Sequence, residues 1–84
     1  MAYIKEESTR STGGNKGEPI KYTLYISTAK GKRRKWAGER ETLKDIDILI
    51  QQNYLNKEFI YISANIVVEY IDGNALIERR YKKI

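Results

Sequence analysis

The strictest alternation of apolar and polar residues runs from Glu58 to Ile71, where Ile60, Ile62, Ala64, Ile66, Val68 and Tyr70 keep one parity. Successive side chains of a strand point to opposite faces, so this pattern predicts one long half-buried strand, with a bulge expected at Ser63 to Asn65. A second clean alternation, Ile20, Tyr22, Leu24 and Ile26 against Lys21, Thr23, Tyr25 and Ser27, predicts a strand over 20–27. Gly31 centres a turn over Thr28 to Lys32, after which Arg33 to Gly38 is expected to return as its partner, with Arg34 and Trp36 on one face and Arg33 and Lys35 on the other. Ala75 to Lys83 is expected to pair back on the long strand through a turn at Asp72-Gly73. That register sets Tyr70 opposite Ala75, Val68 opposite Ile77 and Ala64 opposite Tyr81. A Gly73-Asn74 turn would instead oppose Glu69 and Glu78, two like charges.

Between the strands the period changes. Leu43, Ile46, Ile50 and Tyr54, with Leu49 beside them, recur at helical spacing, and the Thr42 hydroxyl with Asp45 three residues on makes a variant of the capping box. The helix is expected to stop near Asn56. Asp45 and Asp47 suit its positive end and are two apart, so they do not share a face. At the front, Ala2 to Ser8 alternates loosely and reads as a short edge strand or an arm. Thr9 to Pro19 holds three Gly and the single Pro and reads as a loop, expected to be flexible.

The predicted order is β-β-β-α-β-β. The fold class this implies is α+β, a small antiparallel sheet of about five strands with one helix packed on one face. Eighty-four residues form one small domain, 1–84, with a correspondingly small core. Three strands with a basic hairpin and then a helix, over about residues 1–55, resemble in architecture the arm-binding domains at the front of phage-type tyrosine recombinases. That resemblance implies a three-stranded sheet entering the major groove of DNA. The further hairpin from Phe59 to Ile84 departs from it, and no residue is carried over. The strand Tyr22-Thr23-Leu24-Tyr25-Ile26 lacks the Tyr-Ile-Gly element of the GIY-YIG nucleases.

Composition narrows the chemistry. The chain has no Cys and no His, which removes thiolate chemistry, zinc fingers and imidazole catalysis. The carboxylates offer no two-metal motif, and Gly13-Gly14-Asn15-Lys16-Gly17 lacks the Walker spacing. No enzymatic activity, metal or cofactor is expected. Nor is a signal peptide or membrane span, and the lack of Cys fits a cytoplasmic location.

The net charge of +5 is uneven. Residues 1–40 carry ten Lys and Arg against four Glu, a net of +6; residues 41–76 carry −4 and the last eight +3. Five cations, Lys30, Lys32, Arg33, Arg34 and Lys35, lead directly into the only Trp, Trp36. Clustered cations beside an aromatic suit a polyanion, the charges neutralising phosphates and the ring stacking on a base. They equally suit an ordinary solvated hairpin. Arg79, Arg80, Lys82 and Lys83 extend the patch if the last strand lies beside the hairpin, and otherwise blunt an edge strand. Trp36 itself is expected to be buried, because large aromatics dominate small cores.

Two functions follow. One is a small basic binder of DNA or RNA, of the kind phages and mobile elements use as accessory or regulatory factors. The other is a protein-interaction module, docking on a host enzyme or pairing as a homodimer, through Tyr25 and through Phe59, Tyr61 and Val67 on the parity opposite the core.

Overall fold

A computed structural model describes residues 3–84. Five antiparallel strands, β1 (Tyr3–Gly13), β2 (Lys21–Ser27), β3 (Lys35–Arg40), β4 (Tyr61–Tyr70) and β5 (Gly73–Lys83), form one sheet in the order β1-β5-β4-β2-β3. The helix α1 (Leu43–Ile50), extended by a π-helical turn over Gln51–Leu55, crosses one face. The α+β class and the single helix agree with the alternation in the sequence.

Alternation places Leu24 and Ile26 of β2, Ile62, Ala64, Ile66 and Val68 of β4, and Ala75, Ile77 and Tyr81 of β5 on the helix side. There they close over Ile46 and Ile50 of α1. Each large aliphatic buried this way contributes about 1.5–3 kcal/mol relative to leaving it exposed. Leu43, Leu49 and Tyr54 line the same helix stripe, half-buried. Thr42 caps α1 as its spacing predicts, its Oγ1 accepting from the Asp45 N–H at 3.1 Å. The helix ends in a wide turn, the Asn56 N–H reaching the Gln51 carbonyl at 3.1 Å.

Four expectations are corrected. First, β1 runs eleven residues to Gly13, where a loop was expected from Thr9; the Ala2 end of the expected arm lies outside the described residues. The extension is fixed by β5, whose Gly73 pairs with Gly13. A Cβ on Gly73 would sit 2.3 Å from the Thr12 carbonyl oxygen, so this crossing tolerates only glycine. Second, β1 lies beside β5 at the far edge from β2, so residues 1–55 do not make the three-stranded sheet that the recombinase resemblance implies.

Third, Tyr70 pairs with Gly73 and Val68 with Ala75, a register two residues from the expected one, with Ile71 and Asp72 as the turn. The Asp72 carboxylate accepts from the Lys16 N–H at 2.7 Å, an anchor that the hairpin alone does not reveal. A shift of two preserves which residues face the core. Fourth, the bulge falls between β2 and β3 rather than in β4, and Ile20 and Ile60 lie just outside the strands and are exposed.

Candidate nucleic-acid interface

Among the described residues no helix packs on the sheet face opposite α1. Its centre carries Tyr25 of β2, Tyr61, Ser63, Asn65 and Val67 of β4, and Leu76, Glu78, Arg80 and Lys82 of β5. Trp36 joins them because of the bulge. Gly38 stands opposite Leu24 on the core side, and strict alternation would send Trp36 there too; the extra residue, Ala37, reverses the parity and sets Trp36 opposite Tyr25. Trp36 is therefore 62% exposed, which corrects the expectation of a core tryptophan.

The β2–β3 connection folds back over the same end of the sheet. Arg34 donates from Nε to the Oγ of Ser63 at 2.9 Å, and Ser63 is buried. This bond fixes the guanidinium and leaves its two terminal nitrogens free for a bidentate acceptor. Ser63 is also the cross-strand neighbour of Arg80, and Tyr61 that of Lys82. Two arginines from segments 46 residues apart in sequence thus flank one serine. Lys32, Arg33 and Arg34 border a hollow of about 440 Å³ floored by Ser27, Tyr61 and Ser63. Ser27 is held in place by its own turn, donating from Oγ to the Ala29 carbonyl at 2.9 Å. Lys30 stands exposed in this hairpin connection.

The remaining predicted residues divide. Lys35 pairs with Ile26, so it takes the helix-side parity, exposed at the edge. Lys83 pairs with Tyr3 at the end of β5 and also lies off the open face. Lys82 reaches Glu6 at 3.5 Å, an exposed pair. Phe59 was placed on the parity opposite the core; instead it packs against the core, its ring 6.2 Å from that of Tyr54. Tyr61 and Val67 do lie on the open face, half-buried.

Arg79 departs furthest from its expected role. It is 4% exposed, beneath α1, and its Nε and Nη1 donate to Glu7 of β1 and Asp47 of α1. Burial alone would lower the pKa of this guanidinium, and the hydrogen bonds to the two carboxylates outweigh it, holding it above its ordinary value. A charge so engaged cannot meet a phosphate, and Arg79 is excluded from the surface patch. Sequence reading also missed Ser63, a small hydroxyl inside a strand, because only the tertiary fold brings Arg34 onto it.

The far end of the open face has a different electrostatic character. Glu78 pairs with Arg10, and Glu39 with Lys21 at 3.1 Å. The hydrogen bond that Lys21 donates to Glu39 raises its pKa, an exposed and screened interaction. Cations that make no ion pair, Lys32, Arg33, Arg34 and Arg80 among them, gather at the hairpin end, where Glu6 stands opposite Arg80 and is engaged with Lys82. Among the described residues no group of His, Cys, Asp and Glu is arranged to hold a metal ion, and no helix is long and apolar enough to cross a membrane. Comparison of the chain with family models, with curated proteins and with solved structures gives no match in any of the three.

Proposed function

We propose that the protein binds nucleic acid at the hairpin end of its open sheet face. Lys32, Arg33, Arg34 and Arg80 take phosphates, with Lys30 and Lys82 at the margin, and Trp36, Tyr25 and Tyr61 provide the aromatic floor. The observation that carries this reading is that Arg34 is held on Ser63, whose cross-strand neighbour is Arg80, on the face that exposes Trp36. A guanidinium held by a neutral hydroxyl, as Arg34 is, presents a planar fork that matches two oxygens of a phosphate, and clustered cations release counterions from a polyanion when it binds.

The test is a fluorescence titration of Trp36 with oligonucleotides at several salt concentrations, alongside a Lys32/Arg33/Arg34/Arg80→Ala variant shown to be folded by circular dichroism. Four to five phosphate contacts predict a slope of log K against log salt of about −3 to −4, shallower in the variant by most of that amount. A flat response at low salt would sink the reading.

A second reading rests on a different part of the same face. Val67 and Leu76 are cross-strand neighbours there, half-buried, beside a mostly apolar hollow of about 470 Å³. A second copy of the chain seated on them would form a homodimer. A mass that stays monomeric at high protein concentration would dispose of this reading without touching the first.

A further inference from the structure

Resting on the nucleic-acid reading, we infer that the strand held is unpaired. Three aromatic rings share the hairpin end of the open face, on three different strands or their flanks: Trp36 beside Tyr25, and Tyr61 beside the Arg34–Ser63 contact. Trp36 is mostly exposed, and its neighbours are half-exposed. A ring in that position stacks only on a base whose face is free, and in a duplex both faces of every interior base are taken by its neighbours. Sheet surfaces that bind single strands work in this way, stacking two or three bases on strand aromatics.

The distribution of charge points to the same occupant. A duplex presents two rows of phosphates across a major groove about 12 Å wide. With one row on Arg34 and Arg80, the other would fall about four residues further along the strands, at roughly 3.3 Å per residue. That is the row of Thr23, Val67 and Leu76, flanked by Glu39, Glu69 and Glu78. Its nearby cations, Arg10 and Lys21, are already paired with Glu78 and Glu39. The second phosphate row would find acids and spent charges, whereas a single strand needs only the first lane, where Glu6, the acid opposite Arg80, is engaged with Lys82. Nor does the topology supply the groove-reading sheet of three consecutive strands, since β4 and β5 separate β1 from β2.

The inference is tested by measuring the affinity of the full chain for oligo-dT, for oligo-U and for a blunt DNA duplex of equal length, at one low salt concentration. The same set is repeated with Trp36→Ala and Tyr61→Leu. The expected result is that at least one single strand binds about tenfold or more tighter than the duplex. Each aromatic variant should lose about tenfold on that strand and several-fold less on the duplex, base stacking being of that order. Duplex binding as tight as the better-bound single strand, or aromatic variants that leave the affinity for that strand intact, would overturn the inference while the proposed function stood. Binding to none of the three at low salt would overturn both.

Discussion

Arg79 is the one charged side chain among the described residues to be buried, and it clamps three elements at a single point: β5 carries it, β1 supplies Glu7 and α1 supplies Asp47. Removing one partner of a buried ion pair commonly costs about 3–5 kcal/mol. Here both carboxylates reach water and can rehydrate, so Arg79→Ala is expected to cost less, about 2–3 kcal/mol by urea denaturation, with β1 fraying first. Arg79→Met, which keeps the packing, should fold and bind oligonucleotide as the parent does; a loss of affinity in that variant would show that the buried arginine serves the surface after all. The core-side parity of Arg79, midway between Ile77 and Tyr81, was legible in the sequence. Its place in a run of four cations masked it, and its partners could not be seen because Glu7 belongs to a segment with almost no apolar pattern.

Tyr81, next to it, titrates in a readable direction. Burial raises the phenol above its ordinary value near 10, against an opposing pull from Arg79, and Tyr22 is raised by burial in the same sense. A raised folded-state pKa means that the neutral phenol is favoured by folding. Its contribution is fully present below about pH 10 and is lost as the pH climbs through the folded-state value. The urea midpoint should therefore fall above pH 10, and less steeply in Tyr81→Phe. An equal slope in that variant would assign the alkaline loss elsewhere.

At the scale of the element, local chemistry was readable wherever it was self-contained. The Thr42 cap, the helical stripe and the parity of β2 and β4 all follow from residues within a few positions of one another. Thr42→Ala should cost about 1 kcal/mol, and no loss would mean that the Asp45 N–H finds another acceptor. What the sequence concealed depended on distant backbone. β1 exists because β5 offers it an edge, and its C-terminal end closes only because Gly13 and Gly73 meet without side chains. Gly73→Ala should cost about 1–3 kcal/mol, as other overpacking does, with hydrogen exchange accelerated first in Ser11 to Gly13. Protection spread evenly over the sheet would contradict that local account. The bulge at Ala37 is the other concealed feature, since one extra residue decides whether the only tryptophan lies in the core or on the surface.

Across the whole molecule the two faces of one sheet are put to different uses. The helix face takes the apolar residues and the buried arginine. The open face sorts its charge along the strands, with paired acids and bases at the far end and, apart from the Lys82–Glu6 pair, cations without ion-pair partners beside aromatics at the hairpin end. The clustering of Lys and Arg before Trp36 was visible at once in the sequence, but which of those cations meet was not. Arg34 rests on Ser63 and Arg80 stands beside it because the sheet order places β5, β4 and β2 side by side.

The measurement that tests this account most directly is a nitrogen–proton NMR titration of the full chain with a short single-stranded oligonucleotide at low salt, following every backbone amide and the Trp36 indole. Shifts should concentrate at Ala29 to Trp36, Tyr61 to Asn65 and Arg80 to Lys82, and saturate together, while α1 and the Thr9–Gly13 end of β1 stay still. Shifts mapping to α1 or to the Val67–Leu76 end, or no shifts at all, would contradict it.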